Sequence, residues 1–469
     1  MKKQYFKYII VMMIVILLFL SACTKESQNK EAYIGRYQPE WTKDAVIYEV
    51  NVRQYTQEGT FEAFSKRLQG LKDMGINTLW FMPIHPISET KRAGTLGSYY
   101  SITDYREVNP EFGTKEDFAA LVDQTHDMGF KVMMDWVANH TGWDCAWIEE
   151  HPEWYTQDAE GNIVSPQGMG WSDVADLNYE NEDMRTEMIS CMKYWVEEFD
   201  IDGFRCDYAS GVPVEFWEEA RSELEQVKPL YMLAEDNSKK VLLNSAFDMC
   251  YNWSLYDTLI AVAKGEQNAN DVKADIPQNL PDGTYTLNFL DNHDKNSYEN
   301  TILDAFGEEA LPSMFALIYT IEGTPLIYTG DEIALDHNIS FMEKDAVDWN
   351  SSALSYRELL KKLGTIRSSN PALHNGNYGG EMNYYEMDNE NVLAFYRVKD
   401  RNIVKCLFNL SKNRQTIDVT EMFDGTETVL VHGKKGEVSE VEAVGLSNMT
   451  MGGEMTLEPW EFLIVVVEE

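Results

Sequence analysis

Basic residues are scarce in this chain: 39 lysines and arginines stand against 78 aspartates and glutamates, a formal net charge of −39 over 469 residues. Such a field repels polyphosphate, nucleic acid and anionic membrane surfaces, so nucleic acid is excluded as a partner and a neutral or cationic ligand is expected. The acidity otherwise reads as a solvated surface that keeps the protein soluble. Cysteine is scarcer still, at 6. After Cys23, the cysteines at 145, 191, 206, 250 and 406 are scattered without any CxxC spacing, which argues against a zinc site and a disulfide framework. They read as small buried hydrophobes. No internal repeat appears, and long apolar runs are lacking. Only Tyr8 to Leu20 is near-continuous, and it falls short of the ~20 residues a membrane-spanning helix needs.

That run has the layout of a secretory leader, with Lys2, Lys3 and Lys7 ahead of it. It ends in LSAC, Leu20 to Cys23, which resembles the lipobox of bacterial lipoproteins. The resemblance implies a signal peptide over 1–22, cleavage before Cys23, and a lipid on that cysteine. The polar stretch that follows, within 23–40, reads as a tether. The expectation is an extracytoplasmic protein held at the bacterial cell membrane or surface by its N-terminal lipid.

What the chain does contain is apolar and aromatic material, 44% and 12%, enough for a large core. From Ala45 to about Arg367, short strand-like runs alternate with amphipathic helical runs. The strand-like runs are AVIYEVNV, NTLWFMP, KVMMDWV, GFRCD, YMLAED, AFDMCYN, YTLNFLDNHD and PLIYTG. Strands apolar on both faces and separated by helices call for a parallel sheet covered by helices, and eight such units close into a (β/α)8 barrel, placed at 41–372. TFEAFSKRLQGLKDMG is expected to form the first helix. A Trp-, Gly- and Asp-rich segment at about 141–182 breaks the rhythm after the third strand and reads as an inserted subdomain. Beyond Leu373 the period changes to two, in NVLAFYRV, NIVKCLFNL, ETVLVH and EFLIVVV. This predicts a C-terminal antiparallel β-sandwich domain over 373–469.

The fourth strand carries two charges. On a strand, Arg205 and Asp207 share one face while Phe204 and Cys206 take the other. In a barrel of this kind chemistry sits at the C-terminal ends of strands. Asp135, Asn139 and His140 fall after strand three, Arg205 and Asp207 on strand four, Glu235 on strand five, and His293 and Asp294 on strand seven. A lone acid there is most often a turn residue; three acids with an arginine and a histidine suit glycoside hydrolysis, in which one carboxylate attacks and another donates a proton. Arg205 is expected to hold Asp207 ionised, and the apolar MLA ahead of Glu235 to raise the pKa of that residue.

Taken in order, DWVANH (Asp135 to His140), ADLN (Ala175 to Asn178), GFRCD, AED (Ala234 to Asp236) and FLDNHD (Phe289 to Asp294) resemble the motifs of the α-amylase family, glycoside hydrolase family 13. SYYSITDY also resembles a family segment, whose tyrosine, here Tyr100, stacks on the sugar at the cleavage point. The resemblance implies Asp207 as nucleophile, Glu235 as acid/base and Asp294 as transition-state stabiliser. Tyr100, Asp135, His140, Arg205 and His293 would line the subsite of the attacked glucose. It implies a retaining hydrolase of α-1,4-glucosidic bonds in starch or maltodextrin. A cyclomaltodextrinase or neopullulanase and a non-catalytic surface glucan-binding protein remain the alternatives. Asn139 and Asp176 match family calcium positions, so a calcium ion is expected there, unless the two simply hydrogen-bond the insertion to the barrel. Ser210 and Gly211 stand where many relatives have Lys-His, which puts leaving-side sugar binding and the histidine carbonyl ligand in question. No Asp-rich loop follows strand one, which favours α-1,4 over α-1,6 bonds. Trp143, Trp147, Trp154 and Trp171 are candidates for sugar stacking or for core packing.

Overall fold

Each of the eight expected strands is buried along its length apart from the first residue of the third, because both faces of a parallel sheet are covered. The computed structural model describes residues 38–469 except 237–238, 278–279, 353, 424–426, 435–436, 440–452 and 469. The leader, the lipobox with Cys23 and most of the tether lie outside the described residues. Among those described, no helix is long and apolar enough to cross a membrane. The strands are β1 (Ile47–Val50), β2 (Thr78–Phe81), β3 (Lys131–Trp136), β4 (Gly203–Cys206), β5 (Tyr231–Ala234), β6 (Met249–Tyr251), β7 (Tyr285–Phe289) and β8 (Thr324–Tyr328). They pair in parallel in chain order, and β8 returns to β1 to close the barrel. Parallel pairing brings all eight C-terminal ends to one face.

Helices cover the outside. Lys115–Asp127 starts at a capping box between Thr114 and Asp117, and Glu182–Phe199 at the Asn181 side chain, which accepts from Met184 N. The expected first helix is two, Phe61–Ser65 and Leu68–Asp73. Between them Arg67 N donates to Phe64 O at 2.8 Å and Gly70 N to Arg67 O at 3.0 Å, tight i→i−3 bonds that interrupt the α-helical ladder. Phe61, Phe64, Leu68 and Leu71 still face the core.

Between β3 and helix Glu182–Phe199 the chain forms an antiparallel pair of short strands, His140–Gly142 with Val174–Asp176, and a helical turn at Trp147–Glu150. Trp147 stacks on Tyr105 at 5.3 Å, and Trp154 meets it edge-on at 5.2 Å. Those two tryptophans serve packing. Trp143 donates its indole N–H to Ser172 O and lies under the Lys91 ammonium. The C-terminal region has a six-stranded antiparallel sheet, in the order Glu381–Tyr384, Val392–Lys399, Asn402–Asn409, Phe462–Glu468, Thr428–Lys434, Glu437–Ser439. A two-stranded sheet, Gln415–Asp418 with Glu454–Leu457, encloses a second core with it, containing Val392, Leu407, Ile417, Met455 and Leu463. The cysteines at 145, 191, 206, 250 and 406 are all free and buried.

Candidate active site

At the C-terminal face of the barrel lies a cavity of about 550 Å³ lined by Tyr100, His140, Asp207, Glu235, His293 and Asp294 among others. Its floor is built from β3, β4 and β5 in register. Asp135 is level with Arg205, and Arg205 with Leu233, so the arginine enters the barrel beside Asp135 while Phe204 packs outward on Trp136. Asp207 follows β4, and Glu235 follows β5. His293 and Asp294 open the short helix His293–Tyr298, whose Asn292 cap accepts from Lys295 N at 2.8 Å.

One guanidinium organises the carboxylates. Arg205 is fully buried; its Nη1 donates to Asp207 Oδ1 at 2.9 Å and to Asp135 Oδ1 at 3.0 Å, and its Nε donates to Tyr251 OH at 3.2 Å. Nη2 lies 3.0 Å from Glu235 Oε2, an ion pair without hydrogen-bond alignment. The rings of Trp80, Tyr100 and Tyr251 lie 5.2 to 5.8 Å from the guanidinium carbon. Burial opposes its charge, but Asp135 and Glu235 outweigh burial and hold it protonated. The arginine on β4 thus faces three acids at once, Asp135, Asp207 and Glu235.

The acids differ in environment. Burial, helped by the charges of Asp207 and Asp294, pushes Glu235 up to about 8 against the pull of Arg205. Its Oε2 also accepts from Tyr208 N at 2.7 Å. Asp135 is raised by burial as well, with Arg205 opposing. Its Oδ2 accepts from Trp80 Nε1 at 3.2 Å and Tyr100 OH at 3.0 Å. Burial pushes Asp294 up, but the His293 ring 3.3 Å away, with Arg205 and Lys295, together carries it down to about 2; with 41% of its side chain exposed, water shares in stabilising that anion. Burial lowers the pKa of His140, leaving a neutral ring beside Trp171. Tyr100 stacks on His293 and Phe341, at 5.4 and 6.0 Å.

Sequence reasoning missed the cavity's other aromatics: Tyr208 after β4, Trp253 after β6, Tyr298 at the end of the short helix, and Phe341 in the long connection after β8. Only Trp171 of the four insertion tryptophans lines the cavity. A larger cavity of about 700 Å³ lies at the foot of the barrel, against the C-terminal sheet. Its acids, Asp282, Glu322, Glu381 and Glu386, lie away from the C-terminal ends of the barrel strands, and Lys273 covers the ring of its Tyr384 at 4.5 Å.

A family model described as the catalytic domain of α-amylase matches residues 25–163 and 168–359. The chain belongs to the α-amylase family. It is 30% identical to a solved noncanonic maltogenic α-amylase, AmyB from Thermotoga neapolitana, over 91% of this chain and 99% of that one, with a TM-score of 0.77. It is 28% identical to a maltogenic α-amylase of Bacillus acidopullulyticus, covering 83% of this chain and 73% of the relative. With neopullulanase 2 of Thermoactinomyces vulgaris the identity is 25%, over 90% and 80%.

Within this α-amylase-family hydrolase, Asn139 and Asp176 both lie where the insertion joins the barrel, since His140, next to Asn139, pairs with Asp176. Asn139 Oδ1 lies against Gly211, and burial raises the pKa of Asp176. Both are oxygen donors of the kind calcium takes. Among the described residues no group of three or more His, Cys, Asp or Glu side chains forms a metal site, so most of a calcium shell there would be carbonyls and water. The backbone also joins the two parts: Leu177 N donates to Asn139 O, and Thr156 N to Asp176 O. Near the Lys-His gap, Lys239 from the loop after β5 donates to Ser210 O.

Proposed function

We propose that the protein is a lipid-anchored, extracytoplasmic enzyme that hydrolyses α-1,4-glucosidic bonds of starch or maltodextrin with retention. The observation that carries this reading is the placement of two carboxyls on Arg205: Asp207 accepts from its Nη1, while Glu235, whose pKa burial raises, lies 3.0 Å from its Nη2. Glu235 protonates the glycosidic oxygen as Asp207 attacks the anomeric carbon, forming a glycosyl ester and releasing the leaving sugar. Glu235, now a carboxylate, takes a proton from water. That water displaces Asp207, and the two inversions give an α-product. Asp294 faces the oxocarbenium-like transition state, while Tyr100, Asp135, His140, Arg205 and His293 hold the attacked glucose.

NMR of the first products tests the mechanism, since β-anomer appearing before mutarotation would reverse the assigned roles. Neopullulanase 2 among the relatives favours a second reading, an enzyme acting on cyclodextrin or pullulan. A product profile on starch, maltotriose, cyclodextrin and pullulan separates the two. Inertness on all four would leave a glucan-binding protein. Calcium at Asn139 and Asp176 would fasten the insertion, and a lower melting temperature in chelator is its test, since an ion held only by the native state stabilises it. Anchoring rests on Cys23; a Cys23→Ser protein that still carries lipid would overturn it.

A further inference from the structure

The hydrogen bonds of the barrel mouth extend beyond the cavity lining to Glu49 on β1. This side chain is wholly buried, and its Oε1 lies 2.5 Å from His293 Nδ1, 244 residues away. Its Oε2 has no hydrogen-bond partner among the described residues. A proton count shows what the contact requires. Tyr100 has a single hydroxyl proton, which Asp135 Oδ2 accepts at 3.0 Å. The 2.9 Å contact between the Tyr100 oxygen and His293 Nε2 must then take its proton from the ring. Asp294 Oδ2, 3.3 Å from the same nitrogen, also demands a donor there. With Nε2 protonated, the contact of Nδ1 with a carboxylate calls for a second ring proton.

We propose that Glu49 is a positioning residue that keeps His293 doubly protonated and oriented, with Nε2–H directed at the Tyr100 oxygen and Asp294. Burial works against a charged ring, but Asp294 and Glu49 outweigh it. The other groups facing this cluster are Asp135 from β3, Arg205 from β4, Glu235 after β5, Tyr251 on β6, Asp291 and Lys295 at the short helix, Tyr328 on β8, and Asp331 and Glu332 after it. Burial raises Asp291, Asp331 and Glu332, which favours their neutral forms. Glu49 and Asp294 are the acids in direct contact with the ring. The inference rests on the roles given above to His293 and Asp294.

Glu49→Gln keeps the shape and removes the charge, so His293 should titrate closer to its ordinary ~6.5. The ratio of variant to wild-type kcat/KM should be near one at pH ~5.5 and fall ten- to a hundredfold by pH ~8, about the cost of removing a carboxylate that orients a functional histidine. The loss should fall on kcat more than KM, because Asp294 and its charged neighbour act on the transition state. A ratio that does not change with pH, whatever its size, overturns the proposal. ¹⁵N NMR of the wild-type ring at pH ~7, assigned with His293→Asn, decides without turnover even if Glu49→Gln does not fold. Both ring nitrogens protonated is the expected result; one bare nitrogen overturns it. Turnover retained by Asp207→Asn would instead overturn the underlying reading and leave that spectrum unchanged.

Discussion

Glu235 must give up a proton and then recover one, so its pKa decides the pH range of turnover. Burial sets that pKa to about 8, with Arg205 and the Tyr208 N–H restraining the rise. The acid form is the reactive one, so activity should hold below that value and decline as pH rises through it, about tenfold per unit. A kcat/KM profile measured to alkaline pH checks this; a basic limb at an ordinary carboxyl value would remove Glu235 from the role. Glu235→Gln should cost on the order of 10²–10⁴-fold and abolish the basic limb, since the amide does not titrate. Arg205 Nη1 donates directly to Asp207, whereas Nη2 only lies near Glu235.

At the scale of elements, β4 carries both Arg205 and Asp207, and its own placement depends on Gly203. A Cβ at that position would stand 2.2 Å from Tyr231 O on β5, the residue with which Gly203 is in register. Only the absence of a side chain lets the two strands approach there. Gly203→Ala should therefore separate β4 from β5 and cost about 1–3 kcal/mol, the range of overpacking in a close-packed interior. Thermal denaturation measures the cost. Turnover should fall with it, because Arg205 shifts relative to Glu235 at the end of β5. An unchanged melting temperature would mean that the sheet has slack at this point.

Across the whole molecule, the barrel and the C-terminal sheet share a buried arginine that meets carbonyls in place of an acid. Arg397, on strand Val392–Lys399, donates to Thr320 O, Ile321 O, Leu373 O, His374 O and Gly380 O at 2.6 to 3.3 Å. Burial, with Arg367 nearby, pulls its pKa down to about 10, so the guanidinium stays charged at neutral pH. Arg397→Met should leave those carbonyls unsatisfied and cost about 3 kcal/mol or more, since hydrogen bonds to a charged group exceed the usual value. The predicted outcome is a lower melting temperature with the kcat of the remaining folded enzyme little changed, because the arginine lies at the foot of the barrel, far from its catalytic mouth. Loss of kcat at full folding would instead couple the C-terminal sheet to catalysis.

Strand order, the closed barrel and the positions of Asp207 and Glu235 at strand ends were legible along the chain, because burial on both faces writes itself as apolar runs and strand ends as the first polar residues after them; Asp294 falls past the end of β7, on the short helix. The ordered motifs identified the family on the same local information. Contacts between distant segments were not legible. Glu49 on β1 reads as one acid in an apolar strand, and only barrel closure brings it to His293. Phe341 and Tyr298 carry no mark that separates a cavity wall from ordinary core or surface. The break in the first helix also escaped, since Phe61, Phe64, Leu68 and Leu71 keep a helical period across it. Periodicity reports which face of an element is buried; which distant side chain it meets, and therefore which acid gains or loses a proton, is decided when the eight strands close and water is excluded from their mouth.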